Sequence, residues 1–305
     1  LANARAIVKI DTLLQHRRPC ISFEFFPPKT DAGVENLLKT IKSLRILNPG
    51  FVSVTYGAGG SSRERTLEVA RRIKRELDIE PMAHVTCTGH SRAELVEIFN
   101  DLQAEGIENI MALRGDPPKG QANFERHPEG FAYAADLIAM LRERFAFAIG
   151  ASAYPEKHPE AASLDSDIAN ARRKVDAGAT FLVTQFFFEN DDYFTYVDRA
   201  RAAGIDVPII PGIMPVTNYE AVARMLAMNG GKLPQALLAE LEARRDEPEA
   251  VAELGVAYTS LQCRELLQRG APGLHFYTLN KSPATRAIVS ALIATRSLRE
   301  PAAAR

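Results

Sequence analysis

The chain has 305 residues, 46% of them hydrophobic, and its 37 basic and 38 acidic residues leave a formal charge of −1. That balance supplies no electrostatic footprint for nucleic acid or an anionic membrane, and no uncharged apolar run is long enough to span a bilayer. Three scattered cysteines, Cys20, Cys87 and Cys263, offer neither a disulfide framework nor metal-ligand spacing and predict a cytoplasmic protein.

The first segment, "ARAIVKIDTLLQHRR", reads as an amphipathic helix within residues 1–18 rather than as a charged-then-apolar leader. Short β-rich runs then recur at 20–26, 51–56, 82–87, 109–114, 146–153, 180–187, 207–213 and 273–279. Helix-sized segments lie between most of them, such as 34–47 and 66–77, and the last gap holds extra helices near 218–228, 233–244 and 248–269. Strands alternating with helices imply a parallel sheet with right-handed crossovers. Eight units close a barrel, so the expectation is α/β: one (β/α)8 barrel domain over 1–305, with extra helices before the last strand and a frayed tail at 297–305. A doubly wound sheet would need a G-x-G-x-x-G turn, and the glycine cluster "YGAGGSS" at 56–62 does not fit that spacing.

In such a barrel the chemistry sits at the C-terminal ends of the strands. There the sequence places Glu24, Thr55, His84 with Thr86, Arg114 with Asp116, Tyr154, Gln185, and Tyr277 with Asn280. In "ISFEFFPPK", period two turns Phe23 and Phe25 toward the helices and Glu24 into the barrel, and Pro27 and Pro28 end the strand. Desolvation there raises a carboxyl pKa and makes a usable acid near neutral pH; pairing with an internal Lys or Arg is the structural alternative. In "ALRGDPP", Gly115 permits a tight turn and holds Asp116 at the rim, as a second carboxyl group or as a turn cap. On the helix "SLDSDIANARRKVD", Asp167, Asn170 and Lys174 share a face, with Arg173 beside it. That face is either a phosphate or ribose clamp or simple complementarity to the helix dipole. Gln185 is a lone amide in an apolar strand, paired with backbone or with a bound ring. Neither a metal-spaced cluster nor a serine or cysteine nucleophile signature is present, which points to an organic cofactor for the hard chemistry.

At these residues the chain resembles the bacterial methylenetetrahydrofolate reductase family. The matching strings are "SFEFFPPK" at 22–29, "FVSVTYGAGG" at 51–60, "HVTCTG" at 84–89, "ALRGDPP" at 112–118, "AYPEKHPE" at 153–160, "RRKVDAGATFLVTQFFFE" at 172–189, "IIPGIMPV" at 209–216 and "HFYTLN" at 275–280. The resemblance implies a barrel with non-covalent FAD. It also implies NADH or NADPH reducing that flavin, and 5,10-methylenetetrahydrofolate then taking the hydride at the same face to give 5-methyltetrahydrofolate for methionine synthesis. It further implies a homo-oligomer. Glu24 matches the acid that protonates folate N10, and Asp116 the carboxylate that stabilises the 5-iminium cation. Thr55, His84, Arg114 and Gly115 match flavin-contacting positions, as do Tyr133, Ala134, Tyr154 and His158 further along the chain. On the helix, Asp167, Asn170, Arg173 and Lys174 match likewise. Gln185 matches a substrate-contacting amide. Met225 stands where an aromatic is expected against the folate, Lys281 where arginine is common, and Ala221 where a polar group is expected. Two rival readings are a proline dehydrogenase-type barrel flavoenzyme, which lacks the paired "EFFPP" and "RGDPP" strings, and a flavin-free folate-binding methyltransferase-like protein.

Overall fold

In a computed structural model, described here over residues 9–56, 63–116 and 124–298, eight strands form one closed barrel in the order β1 to β8. They are β1 Cys20–Phe25, β2 Phe51–Val54, β3 Pro81–Thr86, β4 Asn109–Leu113, β5 Ala148–Ala153, β6 Phe181–Phe186, β7 Ile209–Ile213 and β8 Gly273–Tyr277. Every neighbouring pair is parallel, including β8 with β1. The eight expected strands are all present: β1, β2, β4 and β8 end one or two residues early, β5 and β7 begin two residues late, β6 loses one residue at each end, and β3 is shifted by one residue. At β8 the cause is explicit: Leu279 and Asn280 are consecutive left-handed residues, φ 51 and 59. The "YGAGGSS" glycines, the two prolines of "RGDPP", residues 1–8 and the end of the tail lie outside the described residues.

The helices are α1 Ile10–His16, α2 Asp31–Leu44, α3 Arg63–Arg72, α4 Arg92–Ala104, α5 Ala134–Arg144, α6 Leu164–Asp176, α7 Asn190–Ala202, α8 Tyr219–Asn229, α9 Gln235–Ala243, α10 Pro248–Gln268 and α11 Pro283–Ala294. Thus α8, α9 and α10 occupy the long gap before the last strand. The expected helix at 66–77 starts earlier and finishes in a π turn, Ile73–Leu77. No helix among the described residues is long and apolar enough to cross a membrane.

Strands buried on both faces need apolar partners inside and outside the barrel. Phe23 and Phe25 join Val34, Leu37 and Ile41 of α2 in the outer core. Phe51, Met82, Met111 and Phe181 fill the barrel interior, where Ile10 and Leu14 of α1 pack against them. The Ile10 amide donates to Asn109 Oδ1 at 2.8 Å, anchoring α1 at the start of β4. Helix α1 therefore stops the N-terminal end of the barrel. A third cluster joins Phe188, Met214 and Val216 to Leu226 of α8, Leu241 of α9 and Val251 of α10. There Gly255 is essential to the approach, since a Cβ would lie 1.7 Å from Val216 O.

Candidate active site

The opposite end of the barrel opens into a cavity of about 1500 Å³. Its floor is apolar, with Met111, Leu113 and Val183, while Thr55, Asp116 and Gln185 reach it from the rim. Helix α8 contributes Met225 and Met228 to one wall.

Glu24 lies at the bottom and is 7% exposed. Ser53 Oγ donates to its Oε2 at 3.2 Å. Two imidazoles face the same oxygen: His275 Nε2 at 3.3 Å and His84 Nε2 at 3.3 Å. The His84 nitrogen is not aligned for a hydrogen bond and has no other partner. His275 is fully buried, and its Nδ1 meets Ser22 Oγ at 2.8 Å. When Ser22 donates to Nδ1, the His275 proton resides on Nε2 and points at Glu24. The ring stacks on Phe51 and meets Tyr277 edge-on.

This arrangement corrects one expectation from the sequence. Burial is the largest single influence on Glu24 and pushes its pKa up, but the His84 charge, the His275 hydrogen bond and charge, and the Ser53 hydroxyl together hold it below the ordinary carboxylate value. Burial in turn pushes His84 down, opposed by Glu24. Glu24 is thus a carboxylate faced by two imidazoles and a hydroxyl, not an isolated desolvated acid, and its partners are imidazoles rather than lysine or arginine. Nearby, Tyr277 donates to Thr184 O at 2.7 Å. Burial and the Glu24 charge drive its pKa well above 10, so it remains a neutral donor.

At the end of β4, Gly115 has φ 90, and a Cβ there would meet Thr88 Oγ1 at 2.2 Å. Only glycine keeps this turn tight against the β3 side. It sets Asp116 at the cavity edge and Arg114 outward, where the guanidinium forks onto Glu160 at 2.6 and 2.7 Å and packs over Phe124.

On α6, Ser163 and Ser166 bond reciprocally at the N-cap. Asp167 and Lys174 are both buried. Asp167 accepts the His158 amide at 3.1 Å, and Lys174 Nζ donates to Ser152 O. Ser152 and Tyr154 line the cavity, and the Tyr154 ring meets His158 edge-on at 4.7 Å. Asn170 and Arg173 contact each other on the solvent side of the same helix. Tyr133 is the N-cap of α5, next to Ala134 at its first position, and is 65% exposed. Lys281 is exposed, and Asn218 caps α8, its Oδ1 accepting the Ala221 N–H.

Of the residues expected from the sequence, Glu24, Thr55, His84, Asp116, Tyr154, Gln185 and Met225 line the cavity, whereas Arg114, Gly115, Tyr133, Ala134, His158, Asp167, Asn170, Arg173, Lys174 and Lys281 do not line it. The structure adds His275, Ser22, Ser53 and Glu160, which sequence reasoning missed. The β8 alternation of His275 with Tyr277 around Phe276 carried a signal for the first of these. A flat apolar floor, polar edges, a glycine turn and an orphaned buried imidazole nitrogen suit a planar ring with polar edges. The volume leaves room for a second ring beside it. No group of three or more His, Cys, Asp or Glu able to hold a metal occurs among the described residues.

Fold and site together define a (β/α)8 barrel with a deep, acid-bearing cleft at the C-terminal ends of its strands. Residues 9–293 match the family model for methylenetetrahydrofolate reductase. The chain belongs to the methylenetetrahydrofolate reductase family. It is 39% identical over 291 residues to 5,10-methylenetetrahydrofolate reductase of Pectobacterium carotovorum subsp. carotovorum, covering 95% of this chain and 96% of that protein. It is also 39% identical over 287 residues to methylenetetrahydrofolate reductase (NADH) 1 of Arabidopsis thaliana, covering 90% of this chain. The chain spans about half the length of such plant relatives, 48% for the Arabidopsis protein. Among solved structures, a Clostridium thermocellum protein that binds two copies of 5-methyl-5,6,7,8-tetrahydrofolic acid shares the fold. The TM-score is 0.65 at 14% identity, over 95% of this chain and 99% of that one.

Proposed function

We propose that the chain is a flavin-dependent reductase that converts 5,10-methylenetetrahydrofolate to 5-methyltetrahydrofolate with a reduced nicotinamide nucleotide, in the cytoplasm, its barrel forming part of a homo-oligomer. The observation that carries this reading is the buried Glu24, with its two imidazoles, beneath a cavity large enough for two stacked rings. FAD, when bound, would accept hydride from the nucleotide and deliver it to the folate methylene carbon. Thr55, His84, Gly115 and Tyr154 would border its ring, and Asp167, Asn170, Arg173 and Lys174 its ribose and phosphates. Arg114, Tyr133, Ala134 and His158 would complete the cradle.

Glu24 would deliver a proton to folate N10, so that the N10–methylene bond breaks with its electron pair left on N10. The imidazoles of His84 and His275, each 3.3 Å from Glu24 Oε2, would flank the route by which Glu24 gains that proton. The Asp116 carboxylate at the cavity edge would stabilise the resulting cationic methylene on N5. Gln185 lines the same cavity, and its Oε1 accepts the Phe186 amide at 3.1 Å, leaving its amide nitrogen to meet the pterin. Met225 would cover the aminobenzoyl ring by apolar contact, and Lys281 would meet the negatively charged tail.

An anaerobic stopped-flow experiment tests this reading. Flavin-loaded protein is mixed with NADH or NADPH and then with methylenetetrahydrofolate, with flavin absorbance as the readout. Bleaching followed by recovery is expected in the wild type, and recovery should be lost in Glu24→Gln. Bleaching without recovery in the wild type removes folate as the substrate. Undiminished recovery in Glu24→Gln removes Glu24 as the acid.

A further inference from the structure

The ladder joining β1 to β8 pairs Cys20 through Glu24 with Gly273 through Tyr277 and then stops. Beyond it the Thr278 N–H still reaches Glu24 O at 3.3 Å, and side chains take up the rest of the pairing. Thr278 Oγ1 donates to Glu24 O at 2.6 Å. The Asn280 amide then closes on both polar groups of the Phe26 main chain. Its Oδ1 accepts the Phe26 N–H at 2.8 Å, and its Nδ2 donates to Phe26 O at 2.9 Å. The Asn280 N–H donates to Thr278 Oγ1 at 3.2 Å, which links the two contacts.

Two features make this more than a stitch between strands. Pro27 and Pro28 lack an N–H, so Phe26 carries the last donor of β1 before the loop, and Phe26 is 44% exposed. Water could satisfy that main chain, so the amide is not needed to relieve a buried polar group; what it adds is direction. The backbone also takes on strain to provide it. Leu279 and Asn280 both hold positive φ, an uncommon conformation for a leucine, which persists only where surrounding contacts over-determine it. The same turn presents Leu279 to the cavity beside Phe26 and Pro27.

We infer that Asn280 is a positioning residue: by clamping Phe26 two residues beyond Glu24, it fixes how the acid and the Phe26–Pro28 lip are presented to the cavity. This inference rests on the reading of Glu24 as the folate acid.

Asn280→Gly is the informative variant, because glycine keeps the left-handed backbone and deletes only the amide. Asn280→Asp keeps an acceptor for the Phe26 N–H and loses the donor to Phe26 O. For each, the folate half-reaction is followed against pH, binding of 5-methyltetrahydrofolate is measured by calorimetry, and thermal melting reports the fold. In Asn280→Gly the folate step should fall by about 10- to 100-fold, the range that small misplacements of a reacting group produce. Its pH profile should shift, while product affinity and melting stay near wild type. Asn280→Asp should fall between the two. An unchanged folate rate, or a slower rate with an unshifted pH profile, overturns the positioning role. Glu24→Gln run alongside separates the two claims. Full folate reduction in that variant defeats the functional reading, whereas its loss together with an unaffected Asn280→Gly defeats this inference alone.

Discussion

Replacing Lys174 with methionine should make the protein more stable near neutral pH. Lys174 is 8% exposed, and burial drags its pKa from the ordinary 10.5 to about 8, opposed only by the Asp167 charge. At about 1.4 kcal/mol per tenfold change, that gap corresponds to roughly 3 kcal/mol of penalty on the charged form. The variant also loses the bond from Nζ to Ser152 O, worth about 1 kcal/mol. A net gain of about 2 kcal/mol remains for an apolar side chain of similar length. The sign of its pH dependence follows from linkage. Between the two pKa values the unfolded chain holds a proton that the native lysine has released, so wild-type stability climbs as pH rises from 8 toward 10.5. The advantage of Lys174→Met should therefore be full at pH 7 and vanish toward pH 10.5. Urea unfolding of both proteins across that range measures it. An advantage that is absent, or equal at both ends, refutes the desolvation argument. Under the proposed function the same change should weaken flavin binding, as read by fluorescence quenching, because a cation held at this cost is useful only against an anionic ligand.

Glu156 supplies the opposite case: burial raises its pKa to about 7 while its carboxylate accepts the Lys232 amide. The native state holds that proton more tightly than the unfolded chain, so this group's support is present below 4.5 and fades as pH rises through 7. Glu156→Gln should gain on the order of 1 kcal/mol at pH 8, after discounting for solvent screening, and nothing at pH 4; an equal gain at both pH values in chemical denaturation contradicts this. Gly255→Ala forces a Cβ to within 1.7 Å of Val216 O, and a loss of about 1–3 kcal/mol should appear as a lowered melting temperature, whereas an unchanged melt would mean α10 does not approach the segment after β7 so closely. Under the proposed function, Asp116→Asn should slow the folate half-reaction by about tenfold or more while leaving the melting temperature unaltered, and an unaltered folate rate excludes the electrostatic role.

The strands were legible because each is a short apolar run closed by proline, glycine or polar residues, and period two was enough to turn Glu24 inward and Phe23 and Phe25 outward. Helical spacing put Asp167, Asn170 and Lys174 on one face, and of these Asp167 and Lys174 are buried while Asn170 turns to Arg173 on the solvent side. Spacing alone could not show which of them are buried, because that depends on Ser152 and His158 arriving from the preceding strand and loop. The Glu24 environment was misread for the same reason. Ser53 and His275 lie 29 and 251 residues away in sequence, and they reach one oxygen only when β1 pairs with β2 on one side and closes against β8 on the other. The Arg114 partner, Glu160, is 46 residues distant, and no local pattern in "RGDPP" announces it. Sequence reading thus recovers what a strand or helix does alone and loses charge balance, which is a property of several strands meeting.

Among the described residues, helix α1 closes the N-terminal end of the barrel, with Ile10 and Leu14 packed into the interior beneath the cavity floor, so Glu24 is reached from the mouth at the opposite end. Under the proposed reaction, the spent nucleotide and the arriving folate share one threshold, so traffic is sequential by architecture and clearance of that threshold bounds the pace of turnover.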